Sequence, residues 1–193
     1  MQRIVCLFII LLIIIIYSEF LIENFEIIKK KANDNKTYYV QNYENNEDAA
    51  NILSFLGSQS VKLVDSIWAK YPDENNVKRL KEKFNVDKIR EAEHEKNSTS
   101  YTINKGEMMH LCLREKNREK TLHDQNLLMF VIIHELAHIA SESVGHNSEF
   151  YDNFKFLLKE AVEIGVYHPV NFHNNPVKYC GIDVTNNPYY DKS

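Results

Sequence analysis

His134, Glu135 and His138 stand in the run His134-Glu135-Leu136-Ala137-His138, inside a stretch otherwise made of Leu, Met, Phe, Val, Ile and Ala. On a helix, residues four apart are rotated by about 40° and displaced by about 6 Å, so both imidazoles reach one point from the same face. Two neutral imidazoles aimed at one point are the start of a divalent-metal site. Glu135, next to His134, can address a metal-bound water without being a ligand. The bland alternative is two core histidines, each satisfied by its own hydrogen bond. Burying two imidazoles and a carboxylate on so apolar a helix is costly without strong partners, and a bound metal removes that difficulty.

A catalytic zinc usually takes three protein ligands and leaves a fourth position for water. His146 is the expected third ligand. It follows Gly145, eight residues after His138, so the chain can leave the helix, turn at the glycine and present the imidazole to the same ion. Glu160 and Glu163, on the next helical segment, are the alternative carboxylate ligands. His168 and His173 lie in a proline-punctuated tail and read as wall or surface residues. Tyr167, His168 and Tyr179 are candidates for steadying a developing oxyanion. Cys112 and Cys180 read as a bridge or as two structural thiols, because no nucleophile arrangement of Cys and His is evident.

The elements that must hold these groups are legible as periodicities. Apolar residues recur at helical spacing from Glu47 to Lys70, with Pro72 as a stop, and a second helix is expected over about 75–84. Alternation predicts strands at about 100–104 and 108–114, joined by a Lys105-Gly106 turn. Thr121 to Asp124 reads as a capping box opening the long helix that carries the histidines. That helix is apolar on nearly every face and is therefore expected to be buried. Asn147 is an expected N-cap for a helix over about 148–164, and the tail beyond Gly165 is expected to lack regular structure. The whole reads as an α+β domain over 47–193.

Ahead of it, Ile4 to Ile22 is nineteen residues with one acid, Glu19. At about 1.5 Å per residue this approaches the ~30 Å hydrocarbon core of a bilayer. Residues 1–22 are thus expected to be a single-pass membrane anchor and 23–46 a polar stalk. A cleaved signal peptide is the competing reading, but large residues stand where a cleavage site wants small ones. Arg3 on one flank and Lys29, Lys30 and Lys31 on the other nearly balance, so orientation stays open. Asn35-Lys36-Thr37 and Asn97-Ser98-Thr99 would be glycosylation sites only in a secretory lumen. With 27 acidic against 23 basic side chains and a net charge of −4, no phosphate-binding surface is advertised, and no nucleic-acid partner is expected.

The segment VIIHELAHIASESVGHNSEFYDNFKFLL resembles the active-site region of zincin metallopeptidases of the WLM and SprT-like group. There the paired histidines are followed by a third histidine and a nearby Phe, here His146 and Phe150. The lead-in TINKGEMMHLCLREK is similar to the edge strand of that fold. The likeness covers about residues 100–165 and is nearer to small metallopeptidase-like proteins of large DNA viruses than to the cellular repair proteases. It implies a zincin-like α+β fold, Zn2+ as cofactor and a protein or peptide substrate. Cellular members act on proteins crosslinked to DNA, a role not carried over to a chain with an apolar N-terminus and a net acidic remainder. The HExxHxxGxxH pattern of metzincins is absent.

Two functions follow. The first is a membrane-anchored zinc peptidase with His134, His138 and His146 as ligands and Glu135 as general base. The second is a zinc-braced, non-catalytic domain that docks a protein partner. A purely structural zinc has no need of a carboxylate beside its first histidine, so Glu135 favours the enzyme.

Overall fold

The computed structural model describes residues 8–15, 27–93, 99–117 and 119–191. The folded unit starts earlier than Glu47. Ile27–Lys31 (β1) and Thr37–Gln41 (β2) pair as an antiparallel hairpin, so the expected stalk contains strands. Its inward face, Ile28, Tyr38 and Val40, packs on the core. The polar residues that gave 23–46 its stalk-like character, Lys29, Lys31 and Thr37, occupy the outer face of that hairpin.

Asn46–Lys70 forms one helix (α1) whose Leu53, Leu56, Leu63 and Ile67 are fully buried, as the spacing predicts. Gly57 lies within it, where a side chain would meet Val86 at 2.9 Å, so the glycine permits close packing. Asn75–Lys83 (α2) follows. Next comes a short strand that periodicity did not reveal, Ile89–Glu91 (β3), too brief to carry a pattern. Tyr101–Ile103 (β4) and Met108–Leu111 (β5) complete a three-stranded sheet in the order β3-β5-β4, parallel between β3 and β5 and antiparallel between β4 and β5. β4 is therefore an edge.

Buried polar groups tie the hairpin to this sheet. The Gln41 backbone N–H donates to Glu91 Oε2 at 2.7 Å, and the Gln41 side-chain amide donates to the Ala92 carbonyl at 2.7 Å. The Arg114 guanidinium donates to Glu91 Oε1 at 2.7 Å, both side chains being buried.

Gln125–Ala140 (α3) carries the histidines. Its N-cap is Asp124, whose carboxylate accepts from the N–H groups of Asn126 and Leu127, so the box expected at Thr121 is replaced by one residue acting alone. Leu128, Met129, Ile132, Ile133 and Leu136 are fully buried, each contributing about 1.5–3 kcal/mol. The helix ends at Ala140, not at Gly145. Ser141 turns its hydroxyl back to the Ala137 carbonyl, and Gly145 sits in the following loop with φ of 89°. Ser148–Glu163 (α4) starts at Asn147, whose side chain accepts from Phe150 N–H as expected of an N-cap.

The tail is more ordered than its prolines suggest. Val177–Tyr179 (β6) and Ile182–Val184 (β7) form a second hairpin, turning at Cys180 and Gly181, both with positive φ. Cys180 is disulfide-bonded to Cys112 just beyond β5. Closing a chain separation of 68 residues contributes about 4 kcal/mol in the chain-entropy account.

Residues 8–15 are helical with exposed side chains, and the rest of the expected anchor, like most of the Asn97 triplet, falls outside the described residues. Among the described residues no helix is long and apolar enough to cross a membrane.

Candidate metal centre

One turn of α3 puts His134 and His138 on the same side, and the loop after the helix brings His146 to them. The Nε2 atoms form a nearly equilateral triangle: 3.2 Å from His138 to His134, 3.1 Å from His138 to His146 and 3.0 Å from His146 to His134. A tetrahedral zinc with bonds of about 2.0–2.1 Å to nitrogen has ligand nitrogens roughly 3.3 Å apart, so the three residues fit that ion. The arrangement also suits a cation. Three ring nitrogens facing one another cannot all be satisfied by shared protons. Burial, reinforced by the neighbouring imidazoles, pushes His134 down to about 3 and His138 down to about 4, which keeps both as neutral ligands.

Phe150, the third residue of α4, is the common floor. Its ring centroid lies 4.8, 4.3 and 4.6 Å from those of His134, His138 and His146. Phe154, one turn on, stands edge-on to His134 at 5.2 Å.

Glu135 is 3% exposed and accepts from Thr102 Oγ1 at 2.8 Å. Burial pushes its carboxyl up to about 7, with the Thr102 hydroxyl pulling the other way. Thr102 lies on the edge strand β4, two residues from Ser100, so alternation puts both on the face toward α3. Ser100 Oγ accepts from Cys112 N–H at 2.9 Å and is 2.5 Å from Tyr179 Oη. Of the three oxyanion candidates, Tyr179 is the one that lines the cavity beside His134 and Glu135. Its phenol is pushed up by burial. Tyr167 instead packs against Phe130 and accepts from Asn187, and His168 holds Asn126 through its backbone. Glu160 and Glu163, the alternative ligands, bind Lys70, and Glu160 also accepts from Tyr71; neither joins the histidine cluster. His173 is exposed on a turn.

The loop that delivers His146 is held by residues that motif reading left aside. The Lys105 ammonium donates to the carbonyls of Ser141, Glu142 and Ser143 at 2.7, 2.5 and 2.7 Å. It reaches them because Asn104, Lys105 and Gly106 all take positive φ at the tip of the β4–β5 turn. Gly106 is required there, since a Cβ would come within 2.6 Å of the Lys83 carbonyl. From the other side, Glu149 accepts from the N–H groups of Glu142 and Ser143 and from the Ser143 hydroxyl. Arg79 donates to the Ala140 carbonyl. A Lys-Gly turn was visible in the sequence, but nothing local pointed it at residues 141–143.

Comparison with known proteins is consistent with this geometry. Residues 74–189 match the WLM domain. Protein R325 of Acanthamoeba polyphaga mimivirus is 34% identical over 152 residues, 77% of each chain. Protein 042R of Invertebrate iridescent virus 3 is 44% identical over 70 residues, 36% of this chain and 43% of the relative. Protein 136R of Invertebrate iridescent virus 6 is 39% identical over 69 residues, 35% and 38% of the two. No solved structure matches significantly.

Proposed function

We propose that this chain, which belongs to the WLM-domain family of zincin-like metallopeptidases, hydrolyses peptide bonds at the His134, His138 and His146 centre. The observation that carries this reading is the triangle of three imidazole nitrogens with a buried carboxylate on the adjoining residue. Zinc held by those residues would supply a bound water acidified toward ~7 and a Lewis acid for the substrate carbonyl.

The chain's own groups do the rest. Glu135 takes the proton of the attacking water and returns it to the leaving amine, and its raised proton affinity suits both steps. Thr102 fixes which carboxylate oxygen is free, because Oε2 is already engaged. We assign to Tyr179, which lines the cavity beside Glu135, the donation of a hydrogen bond to the carbonyl oxygen as it gains charge.

We extend the proposal to a tether. The apolar run from Ile4 to Ile22 supports a single-pass anchor that would keep the domain, and its protein substrate, near a bilayer.

The test is Glu135→Gln. The purified full chain should bind one zinc and cleave unstructured peptides, while the variant should keep its zinc and lose cleavage by orders of magnitude. Equal cleavage by both would refute the assignment, and zinc binding without cleavage by the parent would favour the zinc-braced docking domain.

A further inference from the structure

We infer that the metal centre is selective for peptides carrying a large apolar side chain beside the scissile bond, and that the β6–β7 hairpin is the wall that sets this preference. The inference rests on the peptidase reading for its location, because the cavity in question opens from His134, Glu135 and His146. That cavity, of about 290 Å³, runs between α3, α4 and the tail hairpin.

Three elements converge on it with apolar groups. Phe130 and Val131 come from the turn of α3 before His134, Tyr151 and Phe154 from α4, and Ile182 and Val184 from β7. Phe130 and Phe154 are 5.2 Å apart and nearly fully buried, so they form a fixed back wall. Ile182 and Tyr151 are each about half exposed, at 50% and 49%, although both are large and apolar. Exposed apolar groups lining a cleft that reaches a metal centre suit an apolar occupant.

Charge selects in the same direction. Among the described residues that line the cavity there is no Lys or Arg, while Asp183 at the rim and Glu135 at the centre are both carboxylates. An acidic side chain would find no basic partner on the cavity wall, only the Asp183 carboxylate at its rim. The Lys178 ammonium is 3.1 Å from Asp183, but both groups are exposed to solvent. A pocket of this kind separates side chains by roughly 10–200-fold per methylene.

The wall stays in place because of the disulfide. Cys180, in the turn between β6 and β7, is bonded to Cys112 at the end of β5, and Tyr179 next to it is held at Ser100. The hairpin that contributes Ile182 and Val184 is thus fastened to the sheet that contributes Thr102.

The experiment uses the zinc-loaded full chain carrying Glu135→Gln, which should bind without cleaving. Dissociation constants are measured by fluorescence anisotropy for five peptides differing only at one central position: Phe, Leu, Ala, Lys or Asp. The expected result is Phe and Leu binding at least ~10-fold more tightly than Ala. Adding Val184→Trp should erase the preference for Phe and Leu while leaving the Ala peptide bound. Val184 is half-buried on a surface hairpin, and an unchanged zinc content and helical signal establish that the variant is folded. Equal affinity for all five peptides, or a Phe preference that survives Val184→Trp, would overturn the inference. Because binding is the readout, loss of the selectivity claim and loss of the peptidase claim are separate results.

Discussion

Replacing Lys105 with Met should weaken zinc binding although Lys105 touches none of the three histidines. Its ammonium gathers three carbonyls, those of Ser141, Glu142 and Ser143, at the end of α3 and the start of the loop leading to His146. A hydrogen bond from a charged donor contributes about 1.5–3 kcal/mol net when shielded. Two of the three bonds are only partly buried and one is exposed, so about 1–1.5 kcal/mol for each of the two and almost nothing for the third give about 2–3 kcal/mol. His134 and His138 ride on α3 and keep their places, and only His146 depends on the loop. If ordering the loop must then be driven by the metal, that cost is subtracted from the binding free energy. At about 1.4 kcal/mol per tenfold, the zinc dissociation constant should rise roughly 30–100-fold. Competition with a chromophoric chelator at neutral pH measures it directly. Lys81→Met is the control, because Lys81 pairs with Asp65 on an exposed surface away from the loop and should leave the constant unchanged. A Lys105→Met constant within about threefold of the parent, in a folded protein, would refute the claim that the β4–β5 turn sets the third ligand.

Three further outcomes are expected. Glu149 is held down to about 2, first by the Ser143 hydroxyl and then by the N–H groups of Glu142 and Ser143. Its stabilising contribution is therefore fully present above the ordinary carboxylate value and lost as pH falls toward 2. The stability difference between parent and Glu149→Gln, from urea unfolding in chelator, should be constant above about pH 5 and shrink below it; a pH-independent difference would contradict this. Arg114→Met strands the Glu91 carboxylate, which burial already pushes up, and should cost about 3–5 kcal/mol in urea unfolding, with Glu91→Gln added to it recovering part of the loss. Cys180→Ser should cost up to about 4 kcal/mol and loosen the tail hairpin, read as faster proteolysis within 177–184; equal protease resistance would argue that the hairpin is held by its packing alone.

What was legible in the sequence follows from the range over which each signal acts. The helix over α3 is encoded by a continuous apolar run and its paired histidines by their four-residue spacing, and Asn147 as the cap of α4 by a single side chain reaching Phe150 N–H. His146 could be proposed because eight residues and one glycine allow few other paths back to the ion. The errors came where residues act at a distance. β1 and β2 looked like a stalk because their lysines and tyrosines obscure a two-residue alternation that matters only once α1 covers one face. The tail looked irregular because its strands are three residues each and are held by a cysteine 68 positions away. The capping box at Thr121 failed because Asp124 already satisfies two backbone donors by itself.

This division has a consequence for how the centre can fail. The two histidines on α3 are fixed by a buried helix whose loss would mean global unfolding, whereas His146 depends on Lys105, Glu149 and Arg79, contributed by the β4–β5 turn, α4 and α2. Polar clasps of this kind open locally at far lower cost than a core helix. Loosening should therefore begin at the third ligand and leave a two-histidine site, not a vacant one. Glu135 and Thr102 sit on the buried side of that boundary, since Thr102 comes from β4 and Glu135 from the body of α3. Substitutions in the clasp should then lower metal affinity first, while substitutions at Thr102 should change how the bound water is handled and leave affinity unaltered. A Thr102→Val variant that lost zinc as readily as Lys105→Met would show that the edge strand and the loop are one mechanical unit.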